Sequence, residues 1–162
     1  MTTVLFPRRR FLAGGVFLMA AGASGLLAPA RAQAVAATPS MSGGSNNYIK
    51  GASIVPRIGK GGFWMTGTVR RAGDGAPLAG QRIQIWAHTV EGQEHEPQSH
   101  GATLTDKDGK FRLEMPQIIP VFGQPHGHLA YDSGEFKTVF LRPVMRSAKE
   151  KSLEAHFVLQ PA

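Results

Sequence analysis

The chain has 162 residues, with 18 Lys and Arg against 11 Asp and Glu for a formal charge of +7, and it contains no cysteine. The missing cysteines exclude disulfides and thiolate ligands, so any metal must sit on histidine, carboxylate, tyrosine or backbone oxygen. No Lys/Arg cluster is interleaved with aromatics, which leaves nucleic-acid binding without support.

In chain order, Arg8-Arg9-Arg10-Phe11-Leu12 leads into an apolar Ala/Gly-rich stretch ending at Leu27, and Ala30-Arg31-Ala32 closes it with small residues where a signal peptidase reads. Gly14, Gly15, Gly22 and Gly25 interrupt the stretch, which is short against the ~20 apolar residues of a membrane span. Paired arginines before Phe-Leu resemble a twin-arginine export signal. The expectation is a signal over residues 1–32, the twin-arginine export machinery as a partner, and a periplasmic or secreted bacterial protein. Arg8, Arg9, Arg10 and Arg31 leave with that signal, so fourteen basic residues face eleven acidic ones and the formal charge drops to +3. From Gln33 to Lys60 the chain is Ala, Ser, Gly, Asn and Pro with few large apolar residues, a composition that predicts a flexible leader.

From residue 61 to 162 the pattern is that of one β domain. Phe63, Met65, Gly67 and Val69 alternate with Trp64, Thr66 and Thr68 up to the turn cluster Ala72-Gly73-Asp74-Gly75. Ile83, Ile85 and Ala87 alternate with Gln84, Trp86 and His88, giving a second strand. Thr103 to Thr105 and Lys110 to Glu114 flank Asp106-Lys107-Asp108-Gly109, a hairpin turn whose glycine can take positive φ. Phe136 to Leu141 and Leu153 to Leu159 add two more. Short strands at this spacing, without an amphipathic helix, predict a β-sandwich.

His126-Gly127-His128 supplies the chemistry. In a strand, residues two apart share a face, so both imidazoles project together and form half of a metal site. Tyr131 falls on the opposite face with Gly127 and Leu129 and reads as a core or surface aromatic.

Taken in order, Gly67-Thr68-Val69, Gly75-Ala76-Pro77-Leu78-Ala79-Gly80, Ile83-Gln84-Ile85-Trp86, Thr105-Asp106-Lys107-Asp108-Gly109-Lys110-Phe111, Pro116-Gln117-Ile118-Ile119-Pro120 and His126-Gly127-His128 resemble the core of the intradiol ring-cleavage dioxygenases. The Gly-x-Pro-Leu-x-Gly turn with its hairpin also occurs in transthyretin-like sandwiches; the ordered set ending in His-x-His is the more specific signal. In the dioxygenase family two tyrosines and two histidines hold a ferric ion that binds catechols through both oxygens. The resemblance carries the histidine roles to His126 and His128. Counting from Trp86 places Glu94 at the first tyrosine position, and Ile119 stands at the second, so both phenolates are replaced. The family's arginine before His-x-His also has no counterpart.

What remains is His126, His128 and Glu94, with His88 as a further candidate ligand. Two histidines and a carboxylate suit non-haem iron, the favoured cofactor, and imidazole also accepts copper or zinc. His95 adjoins Glu94 in a loop whose carboxylates and imidazole could offer one ligand whichever way it turns, so it widens the choice with His88; the simpler reading of His95, and of His100 after it, is a loop histidine facing solvent. Three functions follow: an exported metal-dependent oxidoreductase acting on a small catecholic or phenolic substrate, a non-catalytic periplasmic metal-binding sandwich, or a purely structural sandwich.

Overall fold

The structure is a computed structural model and describes residues 34–121 and 123–162. The expected signal over residues 1–32 lies outside them. Seven strands occur among the described residues: β1 (Phe63–Arg71), β2 (Arg82–Ala87), β3 (His100–Leu104), β4 (Lys110–Met115), β5 (Gly127–Tyr131), β6 (Val139–Leu141) and β7 (Ser152–Leu159). They form a three-stranded sheet in the order β4-β1-β7 and a four-stranded sheet in the order β3-β2-β5-β6. This is the all-β sandwich that the alternating pattern predicts.

The period-two residues make the core. Phe63, Met65 and Val69 of β1, Leu153, Ala155, Phe157 and Leu159 of β7, and Phe111, Leu113 and Met115 of β4 pack with Ile83, Ile85 and Ala87 of β2 and with Leu129 and Tyr131 of β5. Tyr131 is therefore a core aromatic, and its hydroxyl accepts the Phe136 N–H at 3.2 Å. β1 pairs in parallel with β7, with Gly67 opposite Ala155. A Cβ at Gly67 would lie 1.7 Å from the Ala155 carbonyl, so a glycine is what lets these two strands approach.

Residues 34–60 correct the expectation of a flexible leader. The Thr38 N–H donates to Val158 O at 2.9 Å and the Met41 N–H to Phe140 O at 2.8 Å, while Val55 N–H and Ala102 N–H exchange bonds with Ala102 O and Ser53 O at 3.0 and 2.8 Å. The segment crosses the outer face of the four-stranded sheet and pairs along β3, covering an edge that would otherwise expose unpaired backbone groups. Its composition was misleading for a physical reason. Small residues bury little surface of their own, but their backbone groups bond to strands that supply the bulk.

Every residue of β2 from Ile83 to Ala87 is buried. Ile83, Ile85 and Ala87 face the sandwich core, whereas Gln84 and Trp86 alternate to the other face and meet residues 46–52. On that outer face, β2–β3 register sets Trp86 opposite His100 and β2–β5 register sets Trp86 opposite His128. The result is a row of three rings across three strands. That row is the floor of the site.

Candidate metal centre

The Trp86 indole is stacked between two imidazoles, 5.4 Å from His100 at 7° and 5.1 Å from His128 at 11°. Its Nε1–H donates to Asn46 O at 2.9 Å, which fixes the plane against which His128 lies. His126 precedes β5 and bridges to Val144; its ring stands edge-on to His128 with centroids 5.0 Å apart.

Each histidine has one nitrogen committed. His128 Nδ1 donates to Gly44 O at 3.1 Å and His126 Nδ1 to Gln124 O at 2.9 Å. A carbonyl only accepts, so both Nδ1 atoms carry the proton and both Nε2 atoms are bare lone pairs. Arg142 Nη2 lies 3.3 Å from His126 Nδ1; since both are donors in this tautomer, that contact is not a hydrogen bond and instead sets a cation beside the ring. Burial, the largest influence, holds the His128 imidazole below its ordinary pKa, while the Gly44 carbonyl and Glu94 carboxylate pull upward. Its neutral, lone-pair-bearing form is favoured.

The third group arrives on the loop between β2 and β3. Thr89 N–H to Gly92 O at 2.9 Å and Glu96 N–H to Gln93 O at 3.0 Å shape that loop, and the Glu96 carboxylate folds back onto Gln93 N–H at 2.9 Å. Glu94 is pinned at two places. Its carbonyl accepts from His100 Nε2 at 2.8 Å, and its Oε1 accepts from Asn47 Nδ2 at 2.6 Å. Burial keeps His100 below its ordinary pKa as well, consistent with a neutral ring that donates from Nε2.

So held, Glu94 Oε2 lies 3.4 Å from His128 Nε2 and 3.7 Å from His126 Nε2. Glu94 Oε2 and His128 Nε2 are buried with no hydrogen-bond partner among the described residues. Opposed lone pairs out of water repel and cost free energy unless a cation lies between them. Ligand atoms about 2.0–2.1 Å from one ion stand roughly 2.9–3.4 Å apart, so the observed separations are close to those of a liganded site. Two imidazole nitrogens and one carboxylate oxygen therefore fit a divalent metal ion, and the set offers no phenolate of the kind that favours Fe(III).

Of the sequence-predicted ligands, His126, His128 and Glu94 come together within 4.8 Å. His88 does not join them. β2 ends at Ala87, and His88 enters the loop with its carbonyl bonded to Ile119 N–H at 3.2 Å. His95 is exposed. Tyr48 donates its hydroxyl to Asp132, so neither of the chain's two tyrosines replaces a lost phenolate in this cluster. Sequence reasoning missed Gly44, Asn47, Arg142 and the part played by His100. A Gly-Ser-Asn run reads only as a turn, and no local signal ties it to a loop 47 residues away.

No family model and no curated protein matches the chain. Among solved structures it is similar to hydroxyquinol 1,2-dioxygenase from Pseudomonas putida DLL-E4, with TM-score 0.58 and 14% identity over 82% of this chain and 69% of that one. It is similar to 3-chlorocatechol 1,2-dioxygenase from Rhodococcus opacus 1CP, with TM-score 0.53 and 16% identity over 71% and 69%. A third likeness is to the dioxygenase domain of a dioxygenase carbohydrate-binding protein fusion from Streptomyces sp. SirexAA-E, with TM-score 0.56 and 13% identity over 71% and 93%. The fold is intradiol-dioxygenase-like. At these identities the likeness is one of fold, and the chemistry must be argued from the side chains.

Proposed function

We propose that this chain is an exported, metal-dependent oxidoreductase on an intradiol-dioxygenase-like sandwich, holding non-haem iron on His126, His128 and Glu94 and acting on a small catecholic or phenolic compound. The observation that carries the metal is the buried, unpartnered pair Glu94 Oε2 and His128 Nε2, 3.4 Å apart. The oxidoreductase reading draws on the fold shared with dioxygenases named for hydroxyquinol and 3-chlorocatechol, and the periplasmic destination and twin-arginine machinery on the Arg8-Arg9-Arg10 leader.

Iron bound there would supply a Lewis-acidic, redox-active centre. The protein's own contribution is orientation: the Gly44 and Gln124 carbonyls set the imidazole tautomers, Trp86 fixes the His128 plane, and Asn47 with His100 fixes Glu94. The Arg142 guanidinium beside His126 favours an anionic oxygen nearby. With Glu94 and Ile119 where the resemblance places tyrosines, no phenolate accepts a substrate proton. Conventional intradiol cleavage should therefore be poor, and the iron-loaded chain should lack a visible phenolate-to-iron band.

One observation favours a second reading, a periplasmic metal-binding protein for iron, copper or zinc. The His128 side chain is 0% exposed, His126 9% and Glu94 20%, an opening narrow for an aromatic ring. The test is to measure metal in the exported protein, load Fe2+ under argon, and follow oxygen uptake and the metal's spectrum on adding catechol. The enzyme reading expects stoichiometric iron, a spectral response and oxygen uptake. Stoichiometric metal blind to catechol leaves the carrier, and no stoichiometric metal overturns both.

A further inference from the structure

Residues 43–52 lie outside the sandwich's strands, yet they reach the candidate centre at three points. Gly44 O accepts from His128 Nδ1, Asn46 O accepts from Trp86 Nε1, and Asn47 Nδ2 donates to Glu94 Oε1. The strap is itself moored to the sheet by Gln84, whose amide donates to Ile49 O at 2.7 Å and accepts from Ala52 N–H at 3.2 Å.

Asn47 stands apart within this strap. Among the described non-glycine residues it alone has positive φ, at +55°, a region that most L side chains avoid and asparagine tolerates. It is exposed and does not belong to the apolar core, so core packing does not account for it. Its amide instead meets Glu94 in a charge-assisted bond of 2.6 Å. Gripped at Oε1 by Asn47 and at its main chain by His100, Glu94 turns Oε2 toward both imidazoles.

Building on the metal-site reading above, we propose that Asn47 is a positioning residue for Glu94, and that through it metal binding and docking of the 43–52 strap reinforce one another. Without a cation, three convergent lone pairs push Glu94 outward and loosen its hold on Asn47. With a cation, the carboxylate is drawn in and the strap is held down. Linkage makes the effect reciprocal: the factor by which the docked strap tightens metal binding equals the factor by which metal favours docking.

The test uses the full chain stripped of metal and Zn2+ alone as probe, comparing the unsubstituted protein with Asn47→Gly. Glycine takes positive φ without strain, so this change preserves or relaxes the turn while deleting the amide. Calorimetry should show Zn2+ affinity falling about 10- to 100-fold, the usual effect of removing a partner that orients a ligand, with the metal-free melting temperature unchanged or raised. Zn2+ should slow hydrogen exchange at the Ala52 amide, which bonds to Gln84 Oε1, and slow it less in Asn47→Gly. Equal affinities, or exchange indifferent to Zn2+ while Zn2+ binds, overturn the positioning role and leave the metal site standing. Failure of the unsubstituted chain to bind Zn2+ stoichiometrically overturns both.

Discussion

The two faces of the four-stranded sheet are both buried, but by different physics. The inner face, with Ile83, Ile85, Ala87, Leu129 and Tyr131, is packed against apolar side chains of the other sheet. The outer face, with Gln84, Trp86, His100 and His128, is covered by a largely polar segment held through hydrogen bonds, with the Tyr48 ring packed on Trp86 and Phe140. Apolar burial is non-directional and tolerates imprecise geometry, whereas a hydrogen-bonded cover fixes the orientation of what it covers. The inner face thus supplies stability, and the outer face can hold ligands with bare nitrogens aimed at one point.

The largest separation of the two faces should come from Leu129→Ala. Leu129 is fully buried in the core, and such a truncation costs about 2–5 kcal/mol. Urea unfolding should show that loss globally, while the fraction that remains folded keeps its metal affinity. Trp86→Phe should do the reverse on a smaller scale. It keeps an aromatic ring between the imidazoles but removes the donor to Asn46 O and leaves a smaller ring in a fully buried site, a combined loss of about 1–3 kcal/mol. Hydrogen exchange should quicken across residues 41–52 and change little in β1 and β7.

Acid should discriminate the faces most gently. Burial lowers the pKa of both His100 and His128 in the folded protein. The folded state therefore binds fewer protons than the unfolded chain. Stability from these two residues is present above the ordinary histidine value of 6.5, is lost as pH falls from there through the depressed values, and then levels off. Denaturation of the metal-free protein followed between neutral and mildly acidic pH should show this loss, and replacing either histidine should shrink it. No change across that interval would mean that neither ring is held neutral.

The same contrast explains what the sequence made legible. Alternation at Phe63 to Val69, Ile83 to Ala87 and Leu153 to Leu159 is a local signal of an apolar face, and it located those strands and their core. His126 and His128 were legible because two-residue spacing fixes a shared side, and Glu94 came from a resemblance counted along the loop. His88 misled because the period was extended one residue past Ala87, where the strand ends. Gly44, Asn46 and Asn47 were illegible because hydrogen bonding to a cover depends on where a distant segment lands. The few large apolar residues between Gln33 and Lys60 concealed that landing.

The most direct test of the central claim is the divalent metal stoichiometry and affinity of the unsubstituted chain beside Glu94→Ala and His88→Ala. A centre built from Glu94, His126 and His128 predicts one ion per chain, affinity weakened substantially by Glu94→Ala, and none of that loss in His88→Ala. Undiminished binding in Glu94→Ala, or a loss of binding in His88→Ala, would contradict it.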